Sequence, residues 1–141
     1  MNTLSTINFI WALITSINWL WYSLSVIIVF VTGAAWFSFI FAKQWKKIFK
    51  VEIPENIDAT NITATMLLQF IATASTGLII FILASISGWL ALFVLSAFCI
   101  WQKAGLKFKY YKYDDFVDAA MIETGYLFLS GLIFILFSFI S

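Results

Sequence analysis

The sequence predicts an all-α integral membrane protein that forms a single transmembrane domain over residues 1–141, a four-helix bundle with an N-terminal interfacial helical segment. Hydrophobic residues make up 63% of the chain and charged residues only 11%, against about 25% charged residues in a typical soluble domain. All eight lysines and all seven acidic residues fall within residues 43–58 or 103–123. Long uncharged stretches separated by two ionic windows are typical of helices that cross a membrane.

The first uncharged stretch, residues 1–42, is too long for a single membrane crossing. As one helix it would extend about 63 Å, which is twice the hydrocarbon thickness of about 30 Å. We therefore expect the first spanning helix over residues 19–42. Trp19 would lie at one interface and Lys43 at the other, because tryptophan and lysine both concentrate at membrane surfaces.

Residues 3–17 precede this helix and mix apolar and polar side chains at helical spacing. That pattern indicates a helix that lies at the membrane interface. A second interpretation makes residues 3–22 a separate spanning helix, with a turn near residues 23–25. A cleaved signal peptide is disfavoured, because no positively charged segment precedes the apolar residues.

The rest of the chain predicts three more spanning helices. Pro54 marks residues 51–58 as a loop, and residues 58–61 supply candidate N-caps for the helix that follows. A short uncharged turn is expected at residues 85–88 and a second polar loop at residues 107–115. The four spanning helices are predicted at about 19–42, 62–84, 89–105 and 116–141.

The lysines predict the orientation of the bundle. All of them lie at the end of the first or the third predicted helix or directly after it, whereas the turn at residues 85–88 and both termini have none. Because lysine concentrates in cytoplasmic loops, we expect both charged loops on the cytoplasmic side of a bacterial inner membrane, with the C-terminus outside. Four lysines are candidate contacts for anionic lipid headgroups: Lys43, Lys46, Lys47 and Lys50.

Aromatic and small residues form two motifs near the ends of the predicted bundle. The first is Asn18-Trp-Leu20 followed by Gly33-Ala-Ala-Trp36-Phe37-Ser38, Phe41, Lys43 and Trp45, and the second is Ile122-Glu-Thr-Gly125-Tyr126-Leu127. Together they resemble a bacterial four-helix integral membrane family catalogued as domain of unknown function 1761. This sequence lacks the proline that often follows the serine of the first motif. The resemblance implies a four-helix membrane fold and no known activity.

Glu123 and Gln69 are the candidate intramembrane polar site. Glu123 is the charge nearest the membrane, about 27 Å from the far end of its predicted helix. It is either a proton or cation site or an interfacial carboxylate stabilised by a helix N-terminus. Gln69 is expected about 16 Å beyond Asp58, near the midplane. An amide at that depth either bonds across helices or lines a solute path.

Composition disfavours several chemistries. The chain has no arginine and no histidine, the side chains most used to bind phosphate and to act as a general base. Cys99 is its one cysteine, and a net charge of +1 argues against a nucleic-acid partner. We therefore predict no cofactor, no metal site and no catalytic residue.

Three functions are compatible with these features of the sequence. The leading prediction is a non-enzymatic accessory or interaction subunit that packs, in the lipid bilayer, against another membrane protein or its own copies. Small residues such as Gly33, Gly77 and Gly131 support it, because they allow helices to approach closely. The alternative is a small homo-oligomeric transporter or channel that uses Glu123 and Gln69.

An enzymatic function ranks third. Asp114, Asp115 and Asp118 form a D-D-x-x-D pattern similar to the magnesium-diphosphate motif of prenyl-transferring enzymes, since clustered carboxylates bind Mg²⁺. Those enzymes also need a second acidic motif and basic groups for the diphosphate. Here only Glu52, Glu55 and Asp58 could serve as the second acidic motif, and no arginine is present.

Overall fold

The computed structural model describes residues 3–49, 59–109 and 113–141, and within these ranges the regular structure is helical with no strand. Four helices in the described ranges are long and apolar enough to cross a membrane: Trp19–Ile40, Met66–Ile86, Gly88–Leu106 and Phe116–Ile140. The predicted all-α four-helix bundle is confirmed. The predicted loop at residues 51–58, including the candidate cap Asp58, lies outside the described residues.

Helix α1, Thr3–Ser16, precedes helix α2, Trp19–Ala35, and the two are separated at Ile17 and Asn18. Asn18 has an extended backbone, and its side-chain oxygen accepts a hydrogen bond from the Trp21 N–H at 3.5 Å. An asparagine in this position caps the helix that follows. The alternative turn near residues 23–25 is wrong, because α2 continues through them. The interfacial position of α1 stays a prediction.

The first spanning helix changes its winding before it ends. A π-helical segment, Trp36–Ile40, follows α2, and Phe41 then leaves the helical conformation with φ −115° and ψ 16°. A separate short helix, α3, runs over Ala42–Phe49 and carries three of the lysines. The expected helix end at residue 42 is therefore corrected to Ile40.

Helices α4, Ala59–Ile86, and α5, Gly88–Lys109, form a hairpin in which Ser87 alone separates them. The expected turn at residues 85–88 and the expected helix limits 62–84 and 89–105 were too conservative, because the helices are longer at both ends. Ser87 lets the chain turn so abruptly because its hydroxyl accepts from the Leu90 N–H at 3.5 Å.

The fourth spanning helix is also longer than predicted and is interrupted once. It begins as α6, Tyr113–Ala119, passes through a second π-helical segment, Ala120–Thr124, and continues as α7, Gly125–Ile140. Helix therefore occupies parts of the expected loop at residues 107–115, of which residues 110–112 are outside the described ranges.

Helix α7 packs against α2, α4 and α5, and α4 also packs against α2 and α5. Their common core is filled by apolar side chains that are at most a few per cent exposed: Val26, Val29, Ile80, Phe81, Leu95, Phe134 and Ile135. A second, smaller cluster of Ile48, Leu106, Ala119 and Ile122 joins α3 to α5, α6 and the second π segment. The smaller cluster packs the end of the bundle that carries the lysines of α3, called the lysine-bearing end below, and the larger core packs the opposite end.

Large apolar side chains cover the outside of the bundle. Phe39 is 84% exposed, Trp89 83% and Leu20 76%. A water-soluble monomer rarely exposes so much contiguous apolar surface. Lipid contact accounts for it, and the fold is that of a multi-pass membrane protein.

Candidate functional site

A cavity of about 620 Å³ lies between α2, α4, α5 and α7, with its charged and amide side chains toward the lysine-bearing end and the hydroxyl groups of Thr73, Thr76 and Ser130 deeper in the bundle. The buried side chains of Ile80, Leu95 and Phe134 form its floor and belong to the core that closes the opposite end. The remaining walls are contributed by Val29, Phe30, Gly33, Ala34, Phe37, Trp45, Met66, Gln69, Ala72, Thr73, Thr76, Phe98, Gln102, Glu123, Tyr126, Leu127, Ser130 and Gly131.

Both residues of the predicted polar site, Glu123 and Gln69, line this cavity. Each lies seventeen residues before the far end of its helix, Ile140 for Glu123 and Ile86 for Gln69. That separation is about 26 Å, which places both near the lysine-side edge of a hydrocarbon layer about 30 Å thick. Gln69 is therefore level with Glu123 rather than near the midplane, and its side chain is on the exposed rim of the cavity.

Glu123 has a second amide neighbour that sequence reasoning missed. The Gln102 side-chain N–H₂ donates to Glu123 Oε2 at 3.5 Å, and both residues line the cavity. The other end of that amide, Gln102 Oε1, is buried and has no hydrogen-bond partner among the described residues. Gln102 stands between Trp101 and Lys103, so its sequence context indicated only an ordinary helix end at the interface.

The two π-helical segments hold Glu123 in place. The Trp36 indole N–H, from the first segment, donates to the Ile122 carbonyl oxygen in the second at 2.9 Å. A π-helical turn shifts its carbonyl groups from the regular i to i+4 pattern, and such turns occur often at functional sites. Because Ile122 directly precedes Glu123, this bond fixes the backbone from which the carboxylate extends.

A helix N-terminus does not explain the position of Glu123. Helix α6, the start of this fourth spanning helix, begins at Tyr113, ten residues before Glu123. The helix dipole acts mainly within the first turn, so its effect at Glu123 is small. The dipole therefore gives little support to the interfacial interpretation of Glu123, and both interpretations of this carboxylate stay predictions.

The small residues of the predicted packing faces are used inside the bundle. A Cβ atom at Gly33 would lie 2.5 Å from the Tyr126 hydroxyl oxygen, and one at Gly77 would overlap the Phe134 ring. A Cβ atom at Gly131 would overlap the Leu95 side chain. These glycines therefore accommodate neighbouring helices of the same chain.

Aromatic side chains form much of the cavity wall. The Phe37 ring stacks edge-on against Tyr126, with ring centroids 5.2 Å apart and planes at 68°. Tyr126 is itself fixed, because its hydroxyl donates to the Val29 carbonyl oxygen at 3.1 Å. Trp45 approaches from α3, with its ring centroid 6.4 Å from that of Phe37. A wall of fixed rings next to one carboxylate is suited to binding a cation, because ring faces carry negative potential.

The lysines and aspartates singled out by the sequence lie elsewhere. Lys43, Lys46 and Lys47 are exposed on α3, while Ile48 of the same helix is buried, so α3 is amphipathic. Lys50 is outside the described residues, and headgroup contact stays a prediction. Asp118 is half-buried and is not among the residues that line the cavity. Asp114 and Asp115 lie in α6. Within the described ranges no group of three or more potential metal ligands occurs.

The fold and the cavity together define a class: a multi-pass helical membrane protein with a largely apolar, aromatic-walled cavity that contains one carboxylate. No family model matches the chain, and neither the curated proteins nor the solved structures contain a match. The resemblance to domain of unknown function 1761 stays a prediction.

Proposed function

We propose that the protein is a small membrane transporter in which Glu123 exchanges a proton for a cation inside the cavity. The observation that carries the proposal is the position of Glu123: it is the one charged side chain among the described residues that line a cavity closed by an apolar floor. Ionisable groups at such positions are costly and commonly mark ion or proton pathways.

The charge of the cavity favours a cation over an anion. The lysines on α3 are exposed and do not line it, whereas Glu123 and the two amides Gln69 and Gln102 do. In a region of low polarity a carboxyl group is stabilised either by a proton or by a nearby positive charge. Binding one and releasing the other is the elementary step of an exchange transporter.

Gln102 suits a carboxyl group that changes its protonation state. An amide side chain both donates and accepts hydrogen bonds, whereas a lysine or an aspartate would favour one state of Glu123. With Glu123 ionised, the Gln102 N–H₂ donates to it, as observed. With Glu123 protonated, rotation of the amide brings Oε1, which now has no partner among the described residues, to accept the new O–H.

The accessory-subunit prediction has lost part of its motivation. Its positive argument was the presence of small residues that allow a partner to approach closely. Gly33, Gly77 and Gly131 are now accounted for by Tyr126, Phe134 and Leu95 of the same chain. We therefore rank the transporter first. As part of this proposal, the protein resides in a bacterial inner membrane with its lysine-bearing end in the cytoplasm and assembles from its own copies.

Proton movement in reconstituted vesicles tests the proposal. The protein is placed in liposomes that contain a pH-sensitive dye, and outward gradients of sodium, potassium or tetraphenylphosphonium are imposed in turn. We expect proton uptake with at least one of these cations, loss of that uptake in Glu123→Gln, and its retention in Asp118→Asn. Asp118 is the matched control, because it is a carboxylate on the same helical rod that does not line the cavity. Equal proton movement in wild type and Glu123→Gln for every cation would contradict the proposal.

A further inference from the structure

The size of the cavity narrows the class of cation. Its volume is about 620 Å³, within the range of about 300–1,000 Å³ typical of sites for drug-sized molecules. A sodium or potassium ion would occupy a small part of that space and would leave the apolar walls without a function. The cavity therefore fits an organic molecule whose apolar body is much larger than its charged group.

The side chains that form the cavity walls are of a type that binds organic cations. Six aromatic side chains line the cavity: Phe30, Phe37, Trp45, Phe98, Tyr126 and Phe134. Aromatic faces attract organic cations, and the attraction is stronger when the contact is desolvated. An inorganic ion gains less from such walls, because it must first lose its tightly held water.

Polar and apolar groups are also arranged along an axis. Glu123, Gln102 and Gln69 lie toward the lysine-bearing end, whereas Ile80 and Leu95 form the apolar floor. From these observations we propose that the cavity binds a lipophilic organic cation, with its positive centre at Glu123 and its apolar groups against the aromatic wall and the floor. This assignment rests on the proposed function, since it names the cation that Glu123 exchanges for a proton.

The opening of the cavity fits a ligand that arrives from the bilayer. Its exposed lining residues lie mainly on α4, where Met66 is 58% exposed and Gln69 and Thr76 are also exposed. Ala34 of α2 and Phe98 of α5, the latter 36% exposed, also contribute to the exposed lining. The cavity thus opens along α4 toward the lipid, and a lipophilic cation dissolved in the lysine-side leaflet enters it sideways.

Two probes of equal shape and opposite charge test the assignment. Tetraphenylphosphonium and tetraphenylborate both carry four phenyl rings on a central atom. Their binding is measured by isothermal titration to the intact protein in mild detergent. We expect saturable binding of the phosphonium and at least about tenfold weaker binding of the borate, because a single nearby charge changes affinity by that order. Equal binding of both would show partition into apolar surface only and would overturn the assignment.

Variants then locate the binding site. Glu123→Gln is expected to weaken phosphonium binding about tenfold or more, and Phe98→Leu about fivefold, since it removes one ring from the wall. Asp118→Asn and Phe93→Leu are the matched controls and should bind as wild type. Phe93 is 72% exposed on the same helix as Phe98 and does not line the cavity. Phe98→Leu leaves the carboxylate in place, so it decides the question if Glu123→Gln does not fold. Unchanged binding in Phe98→Leu, or an equal loss in Phe93→Leu, would overturn the assignment.

The two proposals fail in different ways. Glu123-dependent proton uptake with sodium or potassium, together with no phosphonium binding, would overturn the organic-cation assignment and leave the transporter intact. Phosphonium binding that is insensitive to both Glu123→Gln and Phe98→Leu would overturn the assignment as well. Absence of Glu123-dependent proton movement with all three cations would overturn the proposed function itself.

Discussion

Gly77 is one of the glycines that allow close packing toward the closed end of the bundle. Its missing side chain leaves the space in which the Phe134 ring packs, at the place where α4 and α7 approach each other. Phe134 is 2% exposed and forms part of the cavity floor. The sequence marked Gly77 only as a small residue, and the ring that fills the space comes from a helix 57 residues further along the chain.

We predict that Gly77→Ala destabilises the bundle by about 1–3 kcal/mol, because an added methyl group in a well-packed core forces its neighbours apart. Gly105→Ala is the matched control: a Cβ atom there meets no described atom within 4 Å, and alanine favours a helix over glycine. Thermal unfolding in detergent measures both. Similar unfolding midpoints for the two variants would show that the contact between Gly77 and Phe134 contributes little.

The sequence alone identifies Glu123 as a candidate site residue but does not identify its partner Gln102. A carboxylate within a largely apolar helix was identifiable from the sequence, because all other charges are further from the membrane. Its partner was not, since Gln102 lies 21 residues away in the chain and only the packing of α5 beside the second π segment brings the two together. Which side chains of two packed helices meet depends on how each helix is rotated about its own axis, and the local sequence specifies that rotation only weakly.

At the scale of elements, the paired π segments connect the first and the last spanning helices at the level of the cavity. Their link is the hydrogen bond from the Trp36 indole to the Ile122 carbonyl oxygen. Trp36 also packs against Phe41, at a ring centroid distance of 4.7 Å, where the helix ends. The indole therefore fixes both the end of one helix and the winding of the other.

We predict that Trp36→Phe lowers stability by about 1 kcal/mol, the usual value of a lost hydrogen bond, and also weakens tetraphenylphosphonium binding. The second effect is expected because Glu123 follows Ile122 directly, although Trp36 itself does not line the cavity. Trp89→Phe, at a tryptophan that is 83% exposed near the opposite end of the bundle and does not line the cavity, is the control. Titration and thermal unfolding are compared in the two variants. If Trp36→Phe and Trp89→Phe behave alike, the π segments do not position the carboxylate.

The number and the approximate position of the spanning helices were predictable, because hydropathy averaged over about 20 residues depends on no tertiary contact. The π segments were not, since Trp36–Ile40 and Ala120–Thr124 carry no local signal and the hydrogen bond between them joins residues 86 apart in the chain. Helix α3 was missed for another reason. Its lysines indicated an interface, while its helical structure is supported by Ile48 packing against Leu106 and Ala119.

At the scale of the whole molecule, charge and cavity lie toward the same end. Lys43 and Lys103 are exposed at the end where Glu123 and Gln102 line the cavity. The opposite end, near Ser87 and Ser141, is closed by the apolar core. The predicted cytoplasmic position of the lysines therefore also predicts that the polar part of the cavity faces the cytoplasmic leaflet.

Cysteine labelling checks this orientation. In a Cys99→Ser background, Gln44→Cys and Ser141→Cys each place a thiol at an exposed position, one at either end of the bundle. We predict that a membrane-impermeant maleimide labels Ser141→Cys in intact bacterial spheroplasts and labels Gln44→Cys only after the membrane is opened. The reverse pattern would place the lysine-bearing end outside and would overturn the predicted topology.

Proton release on cation binding tests the central claim most directly. Tetraphenylphosphonium is added to the protein in weakly buffered detergent solution, and a pH indicator records released protons at several pH values from mildly acidic to neutral. If Glu123 exchanges a proton for the cation, wild type and Asp118→Asn release a proton as they bind, and Glu123→Gln releases none. Saturable phosphonium binding without proton release at any pH, or equal release from Glu123→Gln, would contradict the account.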